Sequence, residues 1–416
     1  MDFITNYILK NPPVLLGLIA MLGMILQKKS FSDVVKGTLT AAFGMTILTA
    51  GVNMLTGTIS PINTAMQTHM GIKVAKGLSD ATFTANYGGA VGLAMFFGLI
   101  IHLLIARFTP VKTIFLTGHM LWWFPFVIVA GGVEAGLKGP ILIGFSAILS
   151  ASYWSFAPWV MRKYVWAATE DESFLIGHPT GVLSLLSGFV AKHLGNKKHS
   201  TEDIKVPEGL SFFKEISITG ALVMFIVNLM VGLIAPELVP AGGNLFMFSV
   251  TAGLNFGAGL LILLYGVRLL INQIVPAFQG ISEKVVPGAK PAFDVPILFN
   301  YRPNAVIIGF LVAMITSTIL VIIANMTNLF GVLLVPMVIT SFFECGGAAV
   351  IGEGQGGMRG AIIGTSVASI LMIVLVGFSA ALFNHTIQSW ILVFGGNDLS
   401  LWGMISRFLG NLLGGL

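Results

Sequence analysis

The chain of 416 residues is far more apolar than a soluble protein of its size: 56% of its residues are hydrophobic, only 9% are charged, and the mean hydropathy is +0.92. Soluble domains carry about 25% charged residues, so a water-soluble fold is excluded. The net charge of +5 does not indicate nucleic-acid binding, because the basic residues lie in short stretches between apolar runs. The single cysteine, Cys345, excludes a disulfide framework and a thiolate metal cluster.

Apolar runs long enough to cross a membrane recur along the whole chain. They lie near residues 13–27, 36–57, 88–106, 113–130, 139–161, 216–235, 246–271, 304–325, 329–351, 360–383 and 387–412. These runs predict an all-α polytopic membrane protein with about eleven transmembrane helices. The first run lacks a small-residue cleavage motif, which favours a retained span over a signal peptide.

The distribution of lysine and arginine predicts the orientation of these helices. Alternate loops are rich in basic residues, as cytoplasmic loops are in general. The basic loops contain Lys28, Lys29, Lys36, Arg107, Lys112, Arg162, Lys163 and the stretch 192–214, whereas Lys73, Lys76 and Lys138 are exceptions on the opposite side. The pattern indicates an extracytoplasmic N-terminus and a cytoplasmic C-terminus.

An internal repeat predicts two halves, 1–192 and 216–416, joined by a polar cytoplasmic loop at 193–215. A pattern of glycine, leucine, valine and proline over 44–61 recurs over 259–276. A chance match in a sequence rich in leucine and glycine is the alternative explanation.

A second block of the repeat pairs Asp80 with Asp294 and Tyr87 with Tyr301, which are uncommon residue types in this chain. An odd number of predicted spans separates the copies, so the two halves are predicted to have inverted topology, as in many carriers.

The segment 276–310, which is rich in proline, and its repeat counterpart 61–89 do not read as ordinary membrane helices. Proline breaks helices, and unpaired backbone groups are not tolerated against lipid. We therefore predict that both segments are re-entrant, approach the middle of the membrane from opposite faces, and line a polar cavity. The predicted lining residues are Asp80, Thr82, Asn86, Tyr87, Asp294 and Tyr301.

Two acids in these segments are costly at membrane depth, by about 2.5–3.5 kcal/mol each. Asp294 therefore requires a hydroxyl-rich ligand, a cation or a fixed donor, and the alternative role is the capping of a half-helix. For Asp80 a binding role and a capping role are balanced, because Ser79 and Asp80 together suit the start of the next helix.

Two Gly-His pairs place imidazoles in or beside apolar runs, at His119 and His178. A neutral imidazole offers one donor and one acceptor, which suits the recognition of hydroxyl groups. A histidine bonded to a backbone carbonyl inside the bundle is the structural alternative. The remaining histidines suit loops or interfaces, and no ligand spacing favours a metal site, so neither a metal nor a cofactor is predicted.

The stretch Gly352-x-Gly354-x-x-Gly357 matches a dinucleotide fingerprint only formally, because it follows a membrane run and lacks the acid about 20 residues later. A glycine-rich break between spans is the preferred interpretation. Glu344 lies close by, and either a cavity position or a position near a span end is compatible with the sequence.

Four motifs resemble the ascorbate-type enzyme IIC of the phosphoenolpyruvate-dependent phosphotransferase system, in the ascorbate/galactitol superfamily. They are LTGHM at 116–120, FLIGH at 174–178, GISEKVVPGAKPAFD at 280–294 and RPNAVIIGF at 302–310. The resemblance extends from about residue 12 to 410.

This resemblance implies a multi-pass homodimer in a bacterial cytoplasmic membrane, with a scaffold (V-motif) domain and a core domain that moves like an elevator. It implies that the chain transports a sugar and is not itself an enzyme. A separate phosphorylated IIB protein, charged by a IIA protein, would transfer the phosphoryl group to the substrate.

The resemblance also carries site residues. His119, His178 and Asp294 match positions that contact substrate in that family, and Thr82 stands where ascorbate members have tyrosine. Trp123 and Pro179 replace two expected glutamines. Because polar sites discriminate strongly between hydrogen-bonding groups, the prediction is a sugar or polyol permease rather than an ascorbate permease in particular.

A carrier of another class remains the alternative to a phosphotransferase component. In an ion-coupled secondary transporter of a small polar solute, Asp80 and Asp294 would bind protons or sodium ions.

Overall fold

The computed structural model describes residues 11–69, 77–204, 209, 212, 215–284 and 286–414, and most of these residues are helical. The helices are α1 (Pro12–Leu26), α2 (Phe31–His69), α3 (Asp80–Phe108), α4 (Gly118–Glu134), α5 (Gly139–Thr169), α6 (Gly181–Leu194), α7 (Ile216–Ile234), α8 (Leu245–Lys284), α9 (Pro296–Phe299), α10 (Pro303–Met326), α11 (Val338–Leu382), α12 (Gln388–Phe394) and α13 (Asp398–Gly414). Short 3₁₀ turns occupy Thr201–Asp203 and Pro236–Leu238. The strands are β1 (Thr113–Phe115), β2 (Leu175–Ile176) and β3 (Lys290–Phe293).

Seven helices of the described part of the chain are long and apolar enough to cross a membrane: α2, α3, α5, α7, α8, α10 and α11. Their outward faces carry large apolar side chains such as Leu233 and Leu254, which suits contact with lipid. The predicted polytopic membrane protein is therefore confirmed. The count of eleven spans stays a prediction, because α1 and α6 are apolar but shorter.

Several predicted span boundaries are wrong, and glycines explain most of the differences. The second part of the run 329–351 and the run 360–383 form one helix, α11, which begins at Val338 and is broken where Gly356 and Gly357 leave helical geometry. The run 387–412 is divided between α12 and α13 at a Gly-Gly pair in which Gly396 has φ +82°. Helix α6 was not predicted, because it has only 14 residues.

The prediction that Pro61 and Pro276 break their helices is wrong. Both prolines lie inside long helices, α2 and α8. A proline removes one hydrogen bond and bends a helix, but neighbouring turns can continue the helix beyond it. The chain leaves helical geometry only beyond these prolines. In the second segment, the part that lies outside the long helices is 286–302, which includes β3 and α9. In the first segment, residues 70–76 lie outside the described residues.

A small parallel sheet corrects the all-α prediction. The central strand β3 pairs with β1, where Thr113 faces Lys290, and with β2, where Leu175 faces Ala292. The three segments are only two to four residues long, so they carry no alternation that a sequence reading could detect. Their pairing satisfies backbone groups that would otherwise be buried without partners. The run 113–130 therefore begins as a strand rather than as a span.

The helices form two packed groups. Helices α1, α2, α7 and α8 pack on one another, and α3–α6, α10, α11 and α13 pack on one another. In the first group, α2 and α8 approach so closely that a side-chain carbon on Gly51 would lie 2.5 Å from the backbone nitrogen of Leu263. A carbon on Gly266 would lie 2.8 Å from the carbonyl oxygen of Gly44, and one on Gly259 would lie 3.3 Å from that of Gly51.

These glycines belong to the predicted repeat, in which Gly44 corresponds to Gly259 and Gly51 to Gly266. Gly44 lies close to Gly266 and Gly51 lies close to Gly259, so each glycine meets the repeat counterpart of the other one. A local two-fold axis between α2 and α8 would produce this arrangement. The two copies of the second block of the repeat differ in secondary structure, because Tyr87 lies within α3 whereas Tyr301 follows α9. The inverted repeat of the whole chain stays a prediction.

The predicted glycine-rich break at Gly352–Gly357 anchors the polar loop that follows α6. The amide of Asn196 donates to the carbonyl of Gly356 at 2.7 Å, and the amide of Met358 donates to the carbonyl of His199 at 2.8 Å. Beside the break, the carboxylate of Glu353 accepts hydrogen bonds from the hydroxyls of Ser200 and Thr201. Hydrogen bonds at this stretch therefore hold the polar loop that follows α6 against α11.

Candidate substrate-binding site

The sheet brings together three side chains that are far apart in sequence. Strand β1 leads to His119 at the start of α4, β2 leads directly to His178, and β3 leads directly to Asp294. Because parallel strands present their carboxyl ends at the same edge of a sheet, the three residues meet there. Nδ1 of His178 is 2.6 Å from Oδ1 of Asp294, and Nδ1 of His119 is 3.8 Å from Oδ2.

The carboxylate of Asp294 lies between the two imidazoles, and the residue is only 9% exposed. Its Oδ1 also accepts a hydrogen bond from the amide of Val295 at 2.8 Å, just before α9. Asp294 does not cap α9, because the N-cap residue of that short helix is Val295. One oxygen is held by the local backbone, and the other faces His119.

Glu344 is a second buried acid beside His178. It lies in the second turn of α11, which begins at Val338, and is 4% exposed. Its Oε1 accepts a hydrogen bond from Nδ2 of Asn397 at 2.6 Å and is 3.7 Å from Nε2 of His178. His178 is thus placed between two carboxylates. Glu344 lines the cavity and is also close to the start of α11, so the two positions considered for it are both compatible with the structure.

The loop that carries His178 is held by Asp398, the first residue of α13. The carboxylate of Asp398 accepts hydrogen bonds from the amides of Gly181 at 2.9 Å and Val182 at 2.7 Å, which caps the start of α6. The hydroxyl of Tyr153 donates to the same carboxylate at 2.7 Å. Neither Asp398 nor Asn397 was predicted, although an Asn-Asp pair after two glycines in an apolar stretch is an unusual signal.

A cavity of about 1090 Å³ lies between the two groups of helices and includes this cluster. One wall is formed by α2 and α8, with Thr46, Thr49 and Leu263 among its residues, and the opposite wall carries the histidines and acids. Mostly apolar walls with a few convergent polar groups are typical of small-molecule sites.

Two tryptophans form an aromatic wall next to His119. The rings of Trp123 and Trp390 are 5.1 Å apart, with 30° between their planes, and Trp123 also packs edge-on against Phe126 at 5.1 Å. Both tryptophans line the cavity. An indole face offers an apolar surface to the C–H bonds of a ligand and a single N–H donor at its edge.

Asp80 also lines the cavity, at the exposed start of α3. The hydroxyl oxygen of Ser79 accepts a hydrogen bond from the amide of Thr82 at 3.1 Å, so Ser79 is the residue that caps this helix. The carboxylate of Asp80 is left facing the cavity.

The other predicted site residues are not among those that line the cavity. Thr82 is exposed on the first turn of α3, and Tyr87 packs on Phe83 with ring centroids 4.9 Å apart. The hydroxyl of Tyr301 reaches Asp171 at 3.4 Å. Pro179 contributes its carbonyl, which accepts a hydrogen bond from the amide of Asp398 at 3.1 Å. Asn86, which was predicted to line the cavity, is exposed on α3 and is not among the lining residues either. A role in substrate binding for these five residues stays a prediction.

The donor atoms of His119, His178 and Asp294 lie within 4.8 Å of one another, so a metal ion could be held there by geometry alone. No metal was expected, because the three residues come from distant segments without a ligand spacing. The 2.6 Å contact between His178 and Asp294 is shorter than the separation of two tetrahedral ligands that each stand about 2 Å from an ion. The arrangement is better suited to exchanging hydrogen bonds with hydroxyl groups.

Comparison with known proteins identifies what the chain is similar to. A family model described as a PTS system sugar-specific permease component, EIIC-GAT, matches residues 7–398. A relative from Mycoplasma pneumoniae, described as an ascorbate-specific PTS system EIIC component, is 25% identical over an alignment that covers 98% of this chain and 71% of the relative.

Proposed function

The chain belongs to the family of sugar-specific permease components of the phosphotransferase system, and we propose that it carries a sugar or polyol across a bacterial cytoplasmic membrane for phosphorylation by a partner IIB protein. The cavity between the two helix groups is the proposed binding site, with His119, His178 and Asp294 as its polar centre. Trp123 forms the apolar wall of this site, and Asp80 faces it from the start of α3.

One observation carries this proposal: the ends of three paired strands place two imidazoles and a carboxylate together in a large, mostly apolar cavity. Sugars and polyols present hydroxyl groups that both donate and accept. Imidazoles and carboxylates supply the complementary acceptors and donors, and an indole face covers the C–H bonds.

The position of the cavity supports an elevator-type movement. Helices α1, α2, α7 and α8 would form the scaffold, and the group that holds the histidines and acids would form the moving core. A core that slides past the scaffold would expose the same polar centre first to one side of the membrane and then to the other. The glycine contacts between α2 and α8 are compatible with a scaffold built from two inverted halves. The resemblance to the family further implies that two copies of the chain form a homodimer.

The phosphoryl group would come from the partner and not from this chain. Cys345 is completely buried inside α11, where its sulfur contacts Ser369 and Met372, so it is badly placed to receive a phosphoryl group from another protein. We therefore assign transport to this chain and phosphoryl transfer to the IIB and IIA proteins.

The substrate is a sugar, a polyol or a sugar acid related to ascorbate. The Mycoplasma pneumoniae relative is described as ascorbate-specific, but the chain has Trp123 and Pro179 where two glutamines are expected of ascorbate members. A change of two side-chain amides to an indole and a pyrrolidine ring alters the hydrogen bonds that the site can make, so the relative's substrate does not transfer directly.

Transport by purified protein in lipid vesicles tests this proposal. With phosphorylated IIB protein on the accessible side, labelled sugar should accumulate as its phosphate. Without IIB, accumulation should be absent. Uptake of unmodified solute without IIB, together with its collapse on addition of a protonophore, would instead identify an ion-coupled carrier.

A further inference from the structure

Glu344 is a cavity residue with incomplete hydrogen bonding. Its Oε1 is satisfied by Asn397 at 2.6 Å. Its Oε2 is buried and has no hydrogen-bond partner, although the residue lines the cavity. A buried carboxylate oxygen without a donor is unfavourable, and in a native protein it commonly indicates a partner supplied by a ligand or water.

The same side chain adds a third acid to the lining of the cavity. The carboxylates of Asp80, Asp294 and Glu344 line the cavity together with the imidazoles of His119 and His178. Acids therefore outnumber histidines in this lining, three to two. Neither lysine nor arginine occurs among the lining residues of the described ranges.

We propose that Glu344 binds substrate directly and that the cavity selects an uncharged polyhydroxylated compound, a neutral sugar or polyol, over the anion of a sugar acid. This inference rests on the proposed sugar transport and narrows its substrate class. A ligand hydroxyl supplies the O–H that Oε2 of Glu344 lacks. A ligand carboxylate supplies only acceptors at neutral pH and meets fixed negative charge.

Neighbouring contacts keep Glu344 in this position. Asn397 orients its carboxylate, and the hydroxyl of Thr180 donates to its backbone carbonyl at 2.9 Å. The loop that bears His178 and the turn of α11 that bears Glu344 are therefore joined on the cavity wall. Asp294 and Glu344 then present acceptors on either side of His178.

A matched ligand pair tests the charge selectivity without any substitution. Binding of galactitol and galactonate, and of glucitol and gluconate, is measured by titration calorimetry on the purified wild-type protein at pH 7. The neutral member of at least one pair should bind about tenfold or more tightly than its acid, which corresponds to about 1.4 kcal/mol. Equal or tighter binding of the acids overturns the inference but leaves sugar transport standing, whereas no binding of any sugar, polyol or sugar acid removes both.

The variant Glu344→Gln tests whether Glu344 binds the substrate directly. The glutamine keeps the shape of the side chain and the oxygen that accepts from Asn397, but it replaces Oε2 with an amide donor. The neutral ligand should therefore bind more weakly, and the ratio of its affinity to that of the matching acid should decrease. The matched control is Glu353→Gln, a buried acid on the same helix whose partners are Ser200, Thr201 and Arg302. The control should keep the wild-type ratio.

Gel filtration and thermal unfolding show whether each variant is folded. A folded Glu344→Gln protein with the wild-type ratio would overturn the role of Glu344, as would an equal change in the control. Should Glu344→Gln fail to fold, the wild-type comparison of neutral and acidic ligands still decides the inference.

Discussion

The two walls of the cavity are held together by different physical means. On the wall formed by α2 and α8, glycines allow two backbones to touch, and the contact is mainly apolar. On the opposite wall, Tyr153, Asn397 and Asp398 support His178 and Glu344 through hydrogen bonds. Close backbone packing suits a surface that another body slides along, whereas a hydrogen-bonded network suits groups that must keep a fixed geometry.

The comparison predicts that substitutions on the two walls have different consequences. On the polar wall, a nearly isosteric change should weaken ligand binding more than it weakens the fold. On the glycine wall, a single added methyl group should weaken the fold more than it weakens binding in the molecules that remain folded.

The largest effect is expected for Asp294→Asn on the polar wall. The change removes the negative charge between His119 and His178, and charge-assisted hydrogen bonds are worth about 1.5–3 kcal/mol. Ligand binding measured by calorimetry should therefore weaken about 10–100-fold. The control Asp33→Asn, at the exposed start of α2, should bind as the wild type does, and an unchanged affinity in Asp294→Asn would remove this residue from the site.

The next effect is expected for Gly51→Ala on the glycine wall. The added carbon would lie 2.5 Å from the nitrogen of Leu263, so α2 and α8 must separate. Overpacking of this kind costs about 1–3 kcal/mol and should lower the unfolding temperature in detergent. Gly57→Ala on the same helix has open space around it and should be neutral or slightly stabilising. Equal unfolding temperatures for the two variants would show that the crossing is not tightly packed.

A smaller effect is expected from the residues that position the His178 loop. Asp398→Asn loses an acceptor for one of the amides of Gly181 and Val182. Tyr153→Phe removes a hydroxyl that donates to the same carboxylate at 2.7 Å and lies 3.2 Å from the carbonyl oxygen of His178. A single hydrogen bond contributes about 0.5–1.5 kcal/mol, so Tyr153→Phe should weaken binding about tenfold or less and Asp398→Asn should weaken it more. The reverse order would indicate that Asp398 does not position the loop.

The smallest effect is expected for Trp123→Gln, which restores the amide expected of ascorbate members. The indole of Trp123 packs on the ring of Trp390, which is an apolar contact, so the fold should tolerate the change. Relative affinity in a panel of sugars should shift toward an ascorbate-like ligand by about tenfold or less. An identical ranking of ligands before and after the substitution would discount this position in specificity.

The sequence was most informative where residue types are unusual for a membrane helix. His119 and His178 each follow a glycine in apolar surroundings, and Asp294 lies between apolar residues in a stretch with several prolines, so short motifs were sufficient to find them. Asn397 and Asp398 act across more than 50 and 200 residues respectively, on Glu344 and on Gly181, and only tertiary structure reveals such pairs.

The sheet and the prolines mark the limits of local reasoning. Strands of two to four residues have too few positions for a periodic pattern, yet they align all three site residues. The propensity of proline to break helices was outweighed in α2 and α8 by the surrounding turns, so Pro61 and Pro276 did not mark where the chain becomes irregular.

The most direct test is an electron cryo-microscopy structure of the protein with the tightest-binding neutral sugar or polyol. Ligand density should lie in the cavity between α2 and the opposite wall, with hydroxyl groups within hydrogen-bond distance of His178 and Asp294 and with a C–H face toward Trp123. Density at any other place, with the cavity between the two helix groups left empty, would contradict the proposed binding site.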